Sequence, residues 1–476
     1  MPIADGWELV VGLEVHCELA TETKIFCGCA NSFGDEPNTN VCPVCLGLPG
    51  SLPVLNHQAV EFAMRIGQAL HCSVQPSIFH RKNYFYPDMP KDYQVSQYDL
   101  PINTDGYLDL PDGTRVGIER AHLEEDTGKT QHMGTSGRIH GADYSLVDYN
   151  RAGVPLLEIV SRPDIRSAEH AKAYVSEMRA IVVATGGADG KLEEGSMRVD
   201  ANVSVRRPGD PLGTRCEVKN VNSLRSLVRA IEYEANRQVD AINNGERIVQ
   251  ETRHWNEADG RTSSMRSKEE AMDYRYFPEP DLVPLAPTQE WIDAVRAALP
   301  PMPSDRRAAL ADATAGELAA GADPIVTIVD QGLDAFVLAT IVAGGDARKA
   351  INRTANEIAT PENAARLTDS SFASLLKLES SGALTGTQAK QVLAEMMATG
   401  GDPATIAATH GFEAIDAGVV EGLVDQLIAA HPAEFDRLRG GDPKVAGFFV
   451  GAAMKASGGK ADGKAVTTVL RSRAGL

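Results

Sequence analysis

Two residues near the start of the chain, Glu14 and His16, have the types and the spacing that suit a metal ion. The stretch Glu8–Glu18 alternates apolar and polar residues, which predicts a half-buried β-strand. Side chains two positions apart on a strand project from the same face, so the carboxylate and the imidazole are able to converge on one cation. The alternative is a polar strand face in contact with solvent, and the pair alone does not distinguish the two.

Further acidic residues occur in similar settings. Glu124 and Glu125 follow His122, Asp200 lies on an alternating stretch Arg198–Arg206, and Glu217 lies between Arg215 and Lys219. Carboxylates combined with an imidazole suit Mg²⁺ or Mn²⁺. Repeated polar faces of this kind are what a metal–phosphate site needs, although a surface covered by salt bridges has the same composition.

Four cysteines occur as two close pairs. Cys27 and Cys29 flank a glycine, and Cys42 and Cys45 enclose Pro43 and Val44. Two such pairs are able to surround a zinc ion tetrahedrally, and a set of four thiolates leaves no open position for a substrate. We therefore expect a structural zinc site; the alternative is four thiols without a metal.

Known nucleophile and phosphate-binding motifs are not evident. The segment Gly128–Thr130 resembles the end of a phosphate-binding loop, but the required first glycine is replaced by Leu123. The turn Gly134–Gly137 lacks the context of a nucleophile elbow. The sequence therefore predicts that this chain does not supply a nucleophile of its own.

Two segments have compositions that suit nucleic acid or nucleotide. The run Tyr84–Tyr98 is rich in aromatic residues, which stack bases but more often pack within a protein. The end of the chain has six basic residues opposed only by Asp462, and these either meet a phosphate backbone or form a solvated helix face. The basic residues are Lys444, Lys455, Lys460, Lys464, Arg471 and Arg473.

Length and composition indicate several globular domains. The chain has 476 residues, with 46 Lys+Arg against 65 Asp+Glu and a net charge of −19, which argues against non-specific nucleic-acid binding. A signal peptide is not apparent, and the most apolar stretch, Ile325 to Ala343, carries Asp330 and Asp334, so we expect no membrane span and a cytoplasmic protein. Seven cysteines do not suggest a disulfide framework.

The order of predicted elements indicates an α+β domain followed by helical domains. The stretch Arg198–Arg206 and the segment Thr214–Asn220 read as a hairpin, and helices are expected at about Ala168–Ala184 and Leu224–Ile242. Prolines cluster between Pro278 and Pro303, which marks a domain boundary. Beyond it the chain is rich in Ala, Leu, Ile and Gly, with helical patterns such as Ala347–Thr360 and Leu384–Thr399.

Taken together, these segments resemble the GatB family, the B-type component of the aspartyl/glutamyl-tRNA amidotransferases known as GatCAB complexes. The resemblance extends over nearly the whole chain. The segments that carry it are Gly12–His16, Tyr84–Tyr98, His122–Asp126, Asp148–Glu158, Glu193–Ser196, Glu217–Asn220 and Asp273–Pro278.

The resemblance implies a domain organisation and a set of site residues. It implies an α+β cradle domain with a mixed or antiparallel sheet and an inserted zinc-binding segment (1–294), followed by two small all-helical domains, a helical domain (295–402) and a tRNA-binding tail domain (403–476). The catalytic positions would be Glu14, His16, Glu124, Asp200 and Glu217. Mg²⁺ would be bound by Glu14, His16, Glu124 and Glu217, with Glu125 as an alternative to Glu124, and Zn²⁺ by Cys27, Cys29, Cys42 and Cys45.

The resemblance also implies a reaction. ATP would phosphorylate the side-chain carboxylate of Glu-tRNA(Gln) or Asp-tRNA(Asn), and ammonia made from glutamine by the amidase subunit (GatA) would travel through a channel and replace the phosphate. A small subunit (GatC) would complete a heterotrimer. Two other possibilities stay open at this point: a non-catalytic zinc-containing tRNA-binding scaffold and a free-standing carboxylate–amine ligase.

Overall fold

A computed structural model of the chain describes residues 3–83, 85–134, 142–265, 274–412, 417–440, 444–457, 461 and 463–475. Of the residues singled out above, Tyr84, Gly137, Asp273, Lys460 and Asp462 lie outside the described residues, as do the side chains of Lys444 and Lys464. The chain divides into two compact units, Met1–Pro303 and Ser304–Leu476.

The described residues of the first unit form a large sheet, a separate hairpin and four helices. Its strands are β1 (Glu8–Glu18), β2 (Ser73–Val74), β3 (His80–Asn83), β4 (Tyr93–Ser96), β5 (Asn103–Asp109), β6 (Arg115–Glu125), β7 (Lys129–Gly134), β8 (Ala142–Asp148), β9 (Pro155–Ser161), β10 (Met197–Arg206), β11 (Cys216–Val221), β12 (Thr252–Asn256), β13 (Arg261–Ser264) and β14 (Phe277–Pro278). Its helices are α1 (His57–Ala69), α2 (Ala168–Ala184), α3 (Leu224–Asn243) and α4 (Gln289–Ala297).

Among the described strands, twelve form one mixed sheet, in which β11 and β12 are parallel and the other pairs antiparallel. Its main path runs β13-β12-β11-β10-β1-β9-β6-β4-β3-β14, with β5 pairing with β6 and β2, while β7 and β8 form a separate hairpin. The predicted strand Glu8–Glu18, the hairpin of β10 with β11 and the helices α2 and α3 are confirmed.

Strand β1 shows how the sheet separates its core from its polar face. Leu13 and Val15 are buried in the main apolar core of the first unit, whereas Glu14 and His16 project from the opposite side and are only half-buried. Helices α2 and α3 pack on the apolar side, against β1 and β10 respectively. Burying that side leaves a continuous row of polar side chains on the other face of neighbouring strands.

The described elements of the second unit are all helical. They are α5 (Pro303–Ala313), α6 (Asp323–Asp330), α7 (Asp334–Val342), α8 (Ala347–Arg353), a π-helix (Thr354–Ile358), α9 (Pro361–Ala364), α10 (Asp369–Ser380), α11 (Gly386–Thr399), α12 (Pro403–Thr409), α13 (Ala417–Ala430), α14 (Pro432–Arg439), α15 (Lys444–Ala456) and α16 (Gly463–Ala474). The protein is thus an α+β unit with a mixed sheet, followed by a helical region.

The described residues of the second unit form two separate apolar clusters. One extends from Leu310 to Ala407, and the other from Val420 to Leu470. Helix α12 packs on α10 and α11, and its Ile406 is part of the first cluster. The residues immediately after Asp402 therefore share a core with the helices that precede them.

One helix of the second unit differs from its sequence pattern. The period over Ala347–Thr360 predicts a continuous helix, but α8 ends at Arg353 and a π-turn follows. The wider turn closes when the N–H of Ala359, at φ +61°, donates to the carbonyl of Thr354. Arg353 is meanwhile bound to Glu357, four residues later, and to Glu379 of α10, and the second of these is a tertiary contact that periodicity does not contain.

Within the described residues, no single helix has both the length and the apolarity of a membrane span. One bent pair of helices, α6 with α7, meets the test by length and composition alone.

Candidate active site

A cavity of about 1000 Å³ lies over the polar face of the sheet. Its floor consists of polar side chains from five adjacent strands, β11, β10, β1, β9 and β6. The register places Asp200 opposite Glu14 on one side of β1 and Glu158 opposite His16 on the other. His122 of β6 lies opposite Glu158 in turn. The antiparallel pairing thus brings together residues that are far apart in the sequence.

Three side chains that line the cavity lie close together: His16, Glu124 and Glu158. We call them the imidazole cluster. Their possible ligand atoms all lie within 4.8 Å of one another. The Nε2 atom of His16 is 3.5 Å from Oε2 of Glu158. His122 borders the cluster, with its Nε2 3.7 Å from Glu158 Oε2 and 3.9 Å from Glu124 Oε2. One imidazole and two carboxylates are a donor set that suits Mn²⁺ or Mg²⁺.

Burial and mutual charge set the protonation of this cluster. Burial alone lowers the pKa of His16, but the hydrogen bond and the negative charge of Glu158 outweigh it and raise the pKa to about 9. Burial lowers the pKa of His122 to about 4, so this ring is neutral at pH 7. Burial and the charge of Glu158 raise the pKa of Glu124 to about 7. Glu124 is therefore partly protonated when no cation is bound, whereas the pKa of Glu158 lies well below its usual value because the neighbouring histidines outweigh burial.

The carboxylate cluster is formed by Glu14, Asp200 and Glu217, whose oxygen atoms also approach within 4.8 Å of one another. Burial and the charge of Glu158 raise the pKa of Glu14. The ammonium group of Lys219 lies 2.8 Å from Asp200 and 3.0 Å from Glu217. Three carboxylates are the oxygen donors that Mg²⁺ prefers, and the lysine offsets part of their charge.

The sequence-derived magnesium set is therefore divided between two adjoining clusters. His16 and Glu124 lie in the imidazole cluster, whereas Glu14 and Glu217 lie in the carboxylate cluster with Asp200. Within the described residues, no group with ligand atoms all within 4.8 Å of one another contains the four predicted magnesium ligands together.

Sequence reasoning did not assign a role to Glu158, the residue that completes the imidazole cluster. Its signal was present, because Glu158 is the single charged residue of strand β9, in which only Ser161 is otherwise polar. Glu125, the alternative to Glu124, lies elsewhere: it is buried and accepts hydrogen bonds from the ammonium group of Lys91 and from the N–H of Val95.

The four paired cysteines converge at one point of the first unit. Their Sγ atoms lie within 4.8 Å of one another, and those of Cys42 and Cys45 are 3.9 Å apart. Tetrahedral zinc with Zn–S bonds of about 2.3 Å places its sulfur ligands about 3.8 Å apart. A hydrogen bond from Cys27 lowers the pKa of Cys45 to about 5, and the positive charge of buried Lys24 acts in the same direction, whereas the same hydrogen bond and burial raise the pKa of Cys27. The arrangement fits a thiolate-bound metal.

A second cavity, of about 770 Å³, adjoins the same strands. Glu18 and Arg151 line it, while Asp126 and Arg198 line the first cavity. The guanidinium group of Arg198 is 2.6 Å from Asp126 and 3.9 Å from Glu18. The ion-paired residues Arg198, Asp126 and Glu18 thus lie where the two cavities adjoin.

The basic residues at the end of the chain differ in how they are paired. Arg473 forms ion pairs with Asp425 and Glu421. Lys455 and Arg471 are exposed, and the described residues contain no ion-pair partner for either. Two of the predicted cations are therefore available to an anionic ligand.

Comparisons with known proteins agree on one family. The profile of the GatB/GatE catalytic domain matches residues 9–293, and that of the GatB domain matches residues 335–473. The chain is similar to the B subunits of aspartyl/glutamyl-tRNA(Asn/Gln) amidotransferase from Frankia casuarinae (49% identity, 99% of this chain and 96% of the relative) and Salinispora arenicola (49%, 99% and 97%). The Streptomyces coelicolor protein of the same name is 46% identical over 99% of this chain and 96% of its own length.

Proposed function

Because this chain belongs to the GatB family of amidotransferase B subunits, we propose that its two acidic clusters form the site where the side chain of a misacylated tRNA is activated and amidated. The protein acts as the GatB component of the glutamine-hydrolysing, tRNA-dependent amidotransferase, a ligase that forms a C–N bond. The observation that carries the assignment of the site is the convergence of both clusters in one cavity.

The reaction has two steps that balance. An oxygen atom of the Glu-tRNA(Gln) or Asp-tRNA(Asn) side-chain carboxylate attacks the γ-phosphorus of ATP, and ADP leaves, which produces an acyl phosphate. The nitrogen of ammonia then attacks the acyl carbon, phosphate departs and a proton is released, which gives Gln-tRNA(Gln) or Asn-tRNA(Asn). The carboxylate is a poor electrophile before phosphorylation, so activation must precede attack by ammonia.

The donor sets suit two magnesium ions, one held by the imidazole cluster and one by the carboxylate cluster. Such ions, when bound, neutralise the crowded phosphate oxygens and orient the transferred group. His16 must lose its proton to serve as a ligand beside the carboxylates of Glu158 and Glu124. Lys219 contributes positive charge beside Asp200 and Glu217, where negative phosphate oxygens would otherwise be repelled.

The finer domain assignments belong to the same proposal. Cys27, Cys29, Cys42 and Cys45 bind a structural Zn²⁺. The order of domains is a cradle (1–294), a helical domain (295–402) and a tRNA-binding tail (403–476), in which α4 spans the first boundary and α12 packs on the helical domain. The exposed cations Lys455 and Arg471 support contact with tRNA phosphates. The amidase subunit GatA and the small subunit GatC complete the enzyme.

The source of ammonia is the partner amidase subunit. We expect ammonia to reach the catalytic cavity through the adjoining cavity lined by Glu18 and Arg151, because Glu18 lies 3.9 Å from Arg198, which lines the catalytic cavity. Ammonia is neutral and able to pass an ion-paired group that excludes larger molecules.

Radioactive phosphate transfer tests the proposal in the assembled complex. With γ-³²P-labelled ATP and Glu-tRNA(Gln), the unsubstituted complex is expected to release labelled phosphate in amounts that match Gln-tRNA(Gln). His16→Ala is expected to reduce this by at least about 100-fold, since loss of a ligand exceeds loss of a residue that only orients one. Glutamine hydrolysis by the partner subunit should continue, and His132→Ala, a half-buried histidine on β7 outside the cavity, serves as the control.

The competing function is a tRNA-binding scaffold without catalysis. In that case His16→Ala would leave both phosphate release and amidation intact and alter only tRNA affinity. Normal amidation by this variant would therefore contradict the proposed site.

A further inference from the structure

Two carboxylates of the carboxylate cluster each have one oxygen bound by a neutral hydrogen-bond donor of the protein. The hydroxyl group of Thr252 donates to Oε2 of Glu217 at 2.7 Å. The side-chain amide of Asn202 donates to Oε1 of Glu14 at 2.9 Å. An ionised carboxylate has two oxygens that are able to bind a cation, and in each of these side chains one of the two is already engaged.

The hydroxyl group of Thr252 is held in place by the sheet. Thr252 lies opposite Glu217 in the parallel pairing of β12 with β11, and the N–H of Glu217 donates to the carbonyl of Glu251 at 3.0 Å. The side chain of Thr252 is buried, and a β-branched residue has few rotamers available. This donor therefore has little freedom to move away from Oε2 of Glu217.

Strand β12 is also anchored on its other face. Arg253 directly follows Thr252, so its side chain projects to the opposite side of the sheet. The guanidinium group of Arg253 lies 3.2 Å from the buried carboxylate of Glu234 on α3, and its Nε donates to the hydroxyl of Thr262 on β13 at 2.9 Å. These contacts fix the strand that carries Thr252.

Lys219 differs from these two donors because it is able to move. Its Nζ atom lies 2.8 Å from Oδ2 of Asp200 and 3.0 Å from Oε1 of Glu217. The side chain is 41% exposed, and its ammonium group is at the end of a flexible stem. A cation is therefore able to displace Lys219 from Oε1 of Glu217, whereas Thr252 keeps Oε2. Glu217 then offers the cation a single oxygen.

The number of free carboxylate oxygens affects which cation is preferred. Ca²⁺ takes about six to eight oxygen ligands and often binds both oxygens of a carboxylate, whereas the smaller Mg²⁺ requires a near-octahedral arrangement. We infer that Thr252 is a positioning residue that selects Mg²⁺ over Ca²⁺, because it limits Glu217 to one ligand oxygen. Asn202 has the same effect on Glu14. This inference rests on the proposed function.

Competition between Mn²⁺ and Ca²⁺ in the assembled complex tests this selection. The measurement follows the electron paramagnetic resonance of Mn²⁺ in the Glu158→Gln background, in which the ion at the carboxylate cluster is expected to remain. Thr252→Val keeps the shape of the side chain but removes the hydroxyl group. It should lower the preference for Mn²⁺ over Ca²⁺ about ten-fold, since loss of a hydrogen bond to a metal ligand changes metal affinity by that order. Asn202→Leu should act in the same direction.

Two further variants separate ion selection from a purely structural role. Thr252→Ser retains the hydroxyl group and should restore the preference of the parent complex. Thr185→Val removes a buried hydroxyl group outside the cavity, which donates to the carbonyl of Val182, and should leave the affinities for both ions unchanged. Equal loss of Mn²⁺ and Ca²⁺ affinity in Thr252→Val would overturn the inference, as would an unchanged preference.

Inhibition by Ca²⁺ at a fixed Mg²⁺ concentration distinguishes this inference from the proposed function. With Glu158 intact, phosphate transfer from ATP by the Thr252→Val complex should be inhibited at a Ca²⁺ concentration about ten-fold lower than in the unsubstituted complex. Equal sensitivity of the two complexes to Ca²⁺ would overturn the inference while leaving the function intact. Absence of ATP-dependent phosphate transfer in the unsubstituted complex would instead overturn the proposed function.

Discussion

His16 Nε2 lies 3.5 Å from Oε2 of Glu158, its partner on the neighbouring antiparallel strand. The two residues are separated by nearly half of the first unit in sequence, yet the register of β1 with β9 places them face to face. This contact joins a residue that the sequence identifies as a candidate ligand to one that it does not. The imidazole cluster therefore depends on strand pairing as much as on residue type.

Glu158→Gln is expected to reduce amidation about as much as Glu124→Gln, by at least about 100-fold, because each removes one charged ligand from the imidazole cluster. Titration of the complex with Mn²⁺, followed by electron paramagnetic resonance, should show one fewer bound ion. Glu119→Gln, an exposed carboxylate on β6, should leave both measurements unchanged. Full activity and full Mn²⁺ binding by Glu158→Gln would remove this residue from the site.

Replacement of a zinc ligand is expected to release the metal and weaken the first unit. Purified protein should contain about one zinc ion per chain, and Cys45→Ser should contain almost none and have a lower Tm, because a four-thiolate site needs every ligand. Cys72→Ala removes a buried cysteine outside the cluster, so it should lower the Tm through poorer packing but retain zinc. Metal-free wild-type protein of undiminished stability would contradict the site.

A buried carboxylate away from the cavity should govern acid stability. Glu234 is fully buried and bound to Arg237 at 2.6 Å and Arg253 at 3.2 Å. Burial alone would raise its pKa, but the hydrogen bonds and charges of these partners hold the pKa below the usual value of 4.5. A lowered folded-state pKa stabilises the protein above about pH 4.5, and this stabilisation is lost as the pH falls through the folded-state pKa.

We therefore expect Glu234→Gln to lower the free energy of unfolding by about 3 kcal/mol at pH 7 and to reduce its dependence on pH below 4.5. Tryptophan fluorescence during urea unfolding reports on the first unit, since all three tryptophans lie there. Glu246→Gln, an exposed carboxylate, should match the wild type. Identical acid sensitivity of Glu234→Gln and the wild type would exclude this role.

Binding of the tail to tRNA should appear in the dependence of affinity on salt. Removal of one phosphate interaction lowers the slope of log K against log salt concentration by about one, so Lys455→Ala and Arg471→Ala should each reduce it by that amount. Arg473→Ala should have a smaller effect, because this side chain is already paired with Asp425 and Glu421. Equal slopes for all three variants and the wild type would argue against a tail interface.

Local pattern determined much of the fold and many of the candidate residues. Alternation on Glu8–Glu18 and the helical pattern with its stop signal at Ala168–Ala184 defined elements whose bounds the structure reproduces, because side-chain period and helix ends are properties of short segments. The spacing of the four cysteines likewise pointed to a cluster that the structure brings together.

Only the tertiary structure decided how the acidic residues are grouped. The alternation of polar and apolar residues indicates which face of a strand a residue occupies. The order of the strands in the sheet and their register decide which residues are its neighbours. Glu14 and His16 share a face of β1. Strands β10 and β11 bring Asp200 and Glu217 to Glu14. Strands β9 and β6 bring Glu158 and Glu124 to His16. Strand pairing of this kind joins residues that are far apart in the sequence. The pattern of residues within a single segment therefore does not predict which strands pair.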